Sequence, residues 1–168
     1  MADNLTRLTS LTAFIDKIEN VELKESIEEE ITIINHKLKF IIGEAKPSVL
    51  ILNQSMDFDS KISSVVEDCI SLCGGQPVDS IAENPSIVIV HLDDPSLYGK
   101  LPETILNYPF SESDAIKNNQ LYIAHSVSFE NESQDNILDI VEILAEIIQP
   151  KYFIFGKNGN DWVQFDLN

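Results

Sequence analysis

This sequence predicts an α/β fold: a mostly parallel sheet in three layers with helices on both faces, helices at the N-terminus and a C-terminal β-hairpin. Three observations predict it. Short, continuous apolar runs, 48–52, 86–92 and 121–124, alternate with longer segments whose apolar residues recur at helical spacing. A strand apolar at every position is covered on both faces, as parallel strands are. Each run also ends in polar residues, and strands alternating with helices build parallel sheets through crossover connections.

The elements follow in order. Residues 4–19 predict a first helix, with Asn4 or Thr6 as cap and Leu5, Leu8, Leu11, Phe14, Ile15 and Ile18 as its apolar stripe. Residues 21–42 predict a second, longer helix on Leu23, Ile27, Ile31, Ile34, Leu38 and Ile41. Gly43 is placed to end it, and Pro47 prevents it from resuming. Glu25, Glu28, Glu29 and Glu30 fall mostly off the stripe and read as a solvated helix face. After the strand at 48–52, Asp57 or Asp59 can cap a helix running to about Leu72, with Gly74 and Gly75 as its stop. A short helix is expected over 102–108, and 113–119 leads into the strand at 121–124. Residues 136–148 predict an apolar helix ended by Pro150. The last stretch has two β-rich runs around Lys157-Asn158-Gly159-Asn160, a hairpin signal that would add an antiparallel edge or lie beside the sheet. The organisation expected is one domain over 1–168: a helical segment, 1–46, and an α/β lobe with the hairpin, 47–168.

Composition excludes several classes. A chain of 168 residues with 43% hydrophobic residues can bury a sizeable core and is not disordered. No apolar run approaches the roughly 20 residues that span a bilayer, so membrane insertion is not expected. Eleven Lys and Arg against 28 Asp and Glu give a net charge of −17, which a phosphate backbone would repel; no nucleic-acid partner is expected. The N-terminus lacks a basic start and an uninterrupted apolar core, so the expected location is cytoplasmic as written, or periplasmic if a leader has been removed. No G-x-S-x-G elbow, phosphate-cradling glycine loop or H-E-x-x-H pair occurs, and no enzymatic activity is expected. Cys69 and Cys73, four apart on a helix, read as small buried apolar residues rather than a disulfide or zinc pair.

Open α/β sheets bind ligands beyond the carboxyl ends of their strands. Those ends carry Asn53, Gln54, Ser55 and Asp57 with Phe58; then His91, Asp93 and Asp94; then His125, Ser126, Ser128, Phe129 and Glu130. The ligand-binding candidates are Asn53, Asp57, Phe58, His91, Asp93, Asp94, His125 and Glu130. His91 and His125 at equivalent strand ends could offer nitrogen ligands to a divalent metal, although the spacing matches no zinc motif. The more ordinary role is that of loop-start residues bonding nearby backbone. Phe58 and Phe129 could together floor a ring-shaped ligand. Tyr98, Tyr108 and Phe110 either line such a cleft or cover the sheet edge, His36 reads as a helix-surface residue, and Trp162 anchors the terminal hairpin.

Five stretches, in order, resemble a known family. Lys46-Pro47-Ser48-Val49-Leu50-Ile51-Leu52 resembles the first strand of the second lobe of helical-backbone ABC-importer solute receptors, the type that serves cobalamin, iron–siderophores, haem and metals. Ile70-Ser71-Leu72-Cys73-Gly74-Gly75 is similar to that lobe's helix with a Gly-Gly ending. Asn84-Pro85-Ser86-Ile87-Val88-Ile89-Val90 resembles its N-P-D-V-I-I-V strand, and Ala115-Ile116-Lys117-Asn118-Asn119-Gln120-Leu121-Tyr122 its A-V-K-N-G-R-V-Y entry. Leu144-Ala145-Glu146-Ile147-Ile148 with Gln149-Pro150 resembles the closing helix and H-P signature, with Gln149 in place of the histidine.

The resemblance covers roughly residues 20–150 and implies the connecting helix and C-terminal lobe without the N-terminal lobe. It implies a non-enzymatic binder of a metal, a metal chelate or a corrinoid- or haem-type molecule at the strand ends. One lobe offers such a ligand one wall, so a separately encoded partner lobe is one expectation. The other is an interaction module, a homodimer or partner-binding protein that has lost ligand capture.

Overall fold

The computed structural model describes residues 8–40, 46–54, 58–105, 107–125, 129 and 132–166. Two helices lead. In α1, Thr9–Asp16, Leu11 and Ile15 face inward. Leu8 occupies its N-cap without a side-chain bond; the candidate caps Asn4 and Thr6 lie outside the described residues. One orphan first-turn donor is met from elsewhere in the fold, since Leu11 N–H donates to Asp68 Oδ2 at 2.9 Å. In α2, Val21–Leu38, the side chain of Asn20 accepts the Leu23 N–H at 3.1 Å, and Ile27, Ile31 and Ile34 form the buried stripe. The helix stops short of Gly43. Leu38 is its last inward-packed residue and Phe40 stands 71% exposed, while the expected Ile41 and Gly43 lie outside the described residues.

Five strands form one sheet in the order β2-β1-β3-β4-β5: β1 is Ser48–Asn53, β2 Gln76–Pro77, β3 Ile87–His91, β4 Leu121–Ala124 and β5 Trp162–Gln164. The β2, β1, β3 and β4 pairings are parallel, and β5 runs antiparallel to β4. Alternation along the strands divides the core in two. On one face Val49, Ile51, Ile87, Ile89 and Tyr122 pack with α1, α2, α3 (Ser64–Leu72) and α6 (Ile137–Ile148). On the other, Leu50, Leu52, Val88, Val90 and Ile123 meet α4 (Leu97–Ile105) and α5 (Asp114–Lys117). The three-layer α/β architecture read from the sequence is the one observed.

Local chemistry corrects several boundaries. Helix α3 is capped by Ser63, which accepts the Val66 N–H at 3.2 Å. Asp59 instead bridges Asn53 and bonds the Ser60 N–H, and Asp57 lies outside the described residues. The Gly-Gly ending behaves as expected. Gly74, at φ +84°, lets Gly75 N–H return to the Ile70 carbonyl at 2.9 Å, and a Cβ on Gly75 would meet Ile70, Val49 and Ile148 at 3.0–3.2 Å. Helix α4 begins five residues before the expected Pro102, because Asp94 Oδ1 accepts the Ser96 N–H at 2.8 Å and turns the chain into it. Pro102 is therefore inside the helix. The segment before β4 holds α5, capped by Ser113.

The terminal antiparallel pair consists of β4 and β5. Residues 152–155 form no strand, because the N–H groups of Phe155, Gly156 and Lys157 all turn to the carboxylate of Glu146. Trp162 is the expected anchor, packed edge-on to Tyr122 at 5.5 Å with its indole N–H donating to Glu146 Oε1 at 2.9 Å. Cys69 and Cys73 are wholly buried, free thiols whose ionisation burial opposes.

Candidate ligand site at the carboxyl edge of the sheet

Asn53 closes β1 and His91 closes β3, and the two are directly paired across the parallel ladder. Both follow the alternation of Ile51 and Ile89, so their side chains belong to the α1–α3–α6 face of the sheet. Asn53 is fully buried. Its backbone N–H donates to Asp59 O at 3.0 Å, its carbonyl accepts from Phe58 N–H at 3.0 Å, and Nδ2 reaches Lys61 O at 3.3 Å. Its Oδ1 has no hydrogen-bond partner among the described residues. His91 Nδ1 is also buried without a hydrogen bond, with Asp93 Oδ1 at 3.7 Å, too long for one. The buried Phe129 ring stands edge-on to the imidazole at 6.4 Å and closes the apolar side. Two unsatisfied polar atoms on one registered pair are uncommon, since buried polar groups are almost always bonded.

The loops around this pair are tied together by a residue whose role the sequence did not reveal. Gln54 Oε1 accepts the N–H groups of Asp93 and Asp94 at 2.8 and 3.0 Å, and its Nε2 donates to Ser96 Oγ at 3.2 Å. It staples the end of β1 to the loop after β3, across about forty residues that no local motif connects. Asp94 belongs to the same turn. Its carboxylate accepts from Ser96, and those bonds hold it below the usual carboxylate range. It supports the loop rather than presenting a free ligand.

The other candidates are placed less favourably. His125 follows Ala124, the partner of His91, so alternation turns it to the opposite face, and its backbone N–H continues the ladder to Asp161 O at 2.9 Å. Strand parity alone thus sets His91 and His125 on opposite sides. Phe58, at φ +61°, packs with the α4–α5 core while Phe129 lies in the other, so they do not share one floor. Asp57 and Glu130 lie outside the described residues, as do Ser55, Ser126 and Ser128. Tyr98 stacks on Phe165 at 6.5 Å and Phe110 packs on the α4–α5 core, whereas Tyr108 is 82% exposed. His36 is on the helix surface, edge-on to Phe40.

No protein-family model and no curated protein sequence matches the chain. Solved structures do. An ABC transporter substrate-binding protein from Listeria monocytogenes is 20% identical at a TM-score of 0.57, covering 86% of this chain and 63% of that one. The haem complex of IsdE from S. aureus is 17% identical at 0.59, covering 87% and 65%. CeuE from Helicobacter pylori with Ni(II) bound is 20% identical at 0.57, covering 82% and 48%. The fold is that of the ABC-transporter substrate-binding proteins. This agrees with the resemblance carried by the five sequence stretches, and the chain spans about half to two-thirds of the length of the receptors it matches. No described helix is long and apolar enough to cross a membrane.

Proposed function

We propose that this chain is a non-enzymatic, solute-receptor-type lobe, one domain over 1–168, that contacts a small ligand at the carboxyl ends of β1 and β3. The unpartnered Asn53 Oδ1 and His91 Nδ1, paired at the edge where such sheets hold ligands, carry the reading. Asp93 sits beside His91, and Phe129 supplies an apolar wall.

The donor set also narrows the ligand class. Among the described residues no three His, Cys, Asp or Glu side chains gather in a way that would hold a metal ion. The described residues assemble no such set for a bare divalent ion, which needs about four ligands or more. A molecule that brings its metal with its own donors, a chelate or a haem- or corrinoid-type ring, requires only one or two protein contacts. His91 would supply one nitrogen to such a molecule or hydrogen-bond its periphery, with Asn53 fixing orientation. The haem bound to IsdE and the nickel–histidine complex of CeuE support this ligand class for a chain of the same fold.

Equilibrium titration with haem, cobalamin and Ni(II), followed by absorbance and calorimetry, tests the proposal. Binding of a ring or chelate that weakens at least about tenfold in His91→Ala, roughly the worth of one good polar contact, is expected. Saturation by neither haem nor cobalamin at millimolar concentration would sink it, as would saturation by Ni(II) alone.

A second reading has its own observation. Phe40, Ile154 and Tyr152 are 71, 89 and 39% exposed, and Lys37 Nζ ties the end of α2 to the Tyr152 carbonyl at 3.2 Å. An interaction module would cover such residues. A stable dimer in light scattering, lost in Ile154→Asp, would favour it, against the self-repulsion of a chain of charge −17.

A further inference from the structure

The glutamate run of α2 does not lie wholly in solvent. Glu25, Glu28 and Glu29 are exposed, but Glu30 turns into a cleft of about 300 Å³ between α2 and α6. Ile33 on α2, Leu138 on α6 and Phe155 make its apolar walls, and Glu29, Glu30 and Glu142 bring carboxyl groups to it. Glu30 and Glu142 line this cleft together, and each carboxyl alters the ionisation of the other. A hydrogen bond between two carboxyl groups forms only while one keeps its proton.

The charged surroundings explain which one. Lys157 is the cation at this cleft, and carboxylates already contend for it: Asp139 at 2.7 Å, Glu142 at 3.8 Å and Asp161 at 3.9 Å. Glu142 thus pairs with the cation at 3.8 Å, whereas among the described residues Glu30 makes no ion pair and feels Lys157 only from farther off. Burial, the Glu142 charge and the bond to Glu142 push the Glu30 carboxyl up to about 7, with Asp139 adding to the rise and Lys157 opposing it. Glu30 Oε1 is buried with no partner. Among the remaining groups, Cys73 on α3 faces Glu30 as a neutral thiol, and Glu146 on α6 is occupied by the donors of the 155–162 turn.

We propose that the α2–α6 seam is a proton-operated latch: the Glu30 carboxyl bonds the Glu142 carboxylate while protonated, and loss of that proton sets two carboxylates against each other and loosens the seam. Ile27, Ile31 and Ile34 still hold α2 to the core, so opening loosens the middle of the helix without releasing it. The helix that leads into the sheet is therefore tighter in mildly acidic solution than above neutrality. The latch stands apart from the ligand reading, since it uses none of the residues at the sheet edge.

Carboxyl carbon NMR titration of the unaltered protein, with amide hydrogen exchange corrected for intrinsic rates at pH 6 and pH 8, provides the test. One glutamate titrating near neutrality, and protection of the α2 amides around Glu30 falling several-fold from pH 6 to pH 8, is expected. Glu30→Gln keeps a donor for Glu142 at every pH, so it should abolish that fall. Glu28→Gln, the same charge change on the exposed side and outside the cleft, should leave it intact. All glutamates titrating in the ordinary range around 4 to 5 would overturn the proposal. So would a pH dependence of α2 protection that Glu30→Gln leaves in place, or that Glu28→Gln removes equally.

Discussion

Glu146 and Glu30 face the same part of the molecule from opposite sides, and they meet burial differently. Glu146 is 4% exposed and rests among four donors: the N–H groups of Phe155, Gly156 and Lys157 and the indole of Trp162. Glu30 is only partly buried, yet one of its oxygens is unbonded and the other group it meets is an acid. The more buried carboxylate is the better accommodated. Donors, rather than depth, decide whether a buried charge is tolerated.

The largest expected effect breaks the satisfied member. Glu146→Ala would strand three backbone N–H groups and a buried indole N–H, and should cost about 3 kcal/mol or more in urea denaturation. It should also free the 155–162 turn, seen as loss of the Trp162 fluorescence environment. If the cost is under about 1 kcal/mol, the comparison fails.

Next comes the unsatisfied member. The folded chain holds a proton on Glu30 up to about 7, whereas the group's ordinary value is 4.5. Between these values the native state binds a proton that the unfolded chain lacks. Its contribution is therefore complete below about 4.5 and is lost as pH rises through 7. Glu30→Gln should leave the melting temperature unchanged near pH 4.5 and raise it by a few degrees at pH 8. An equal rise at both pH values would show that mere charge reduction is responsible.

Ser63→Ala then provides a scale between the two. It removes the cap of α3 and the 2.7 Å bond from Ser63 Oγ to Glu132, for an expected loss of about 1 kcal/mol. The smallest effect belongs to the sheet edge. His91→Leu exchanges an unsatisfied nitrogen for an apolar group and should be neutral or stabilising by up to about 1 kcal/mol, while the proposed ligand binding should weaken at least about tenfold. A loss of several kcal/mol there would make His91 structural and remove the reason to read the edge as a site.

The contrast between the two glutamates also marks how far the sequence could be read. Glu146 sits in the strongly apolar run 137–148, which announces a buried helix but not the four donors that neutralise the cost of its one buried acid. Those donors come from residues 155–162, in a stretch whose composition reads as a hairpin. The carboxylate wins because it satisfies three N–H groups that a strand ladder would otherwise have served. Glu30 belongs to a run of like residues, and period alone cannot single out the one that meets Glu142 more than a hundred positions away. At the sheet edge, β1 and β3 and their polar ends were readable, so Asn53 and His91 could be named. The parity that separates His91 from His125, and the two cores that separate Phe58 from Phe129, depend on strand register.

The sequence by itself determined the layers. Continuous apolar runs demand cover on both faces, the α2 stripe sets which side of that helix is buried, and Gly74-Gly75 end α3, all through interactions within a few residues. Only the tertiary structure decided which polar atoms remain without partners. Satisfaction of a hydrogen bond depends on groups brought together from distant parts of the chain, and a local pattern carries no record of that meeting.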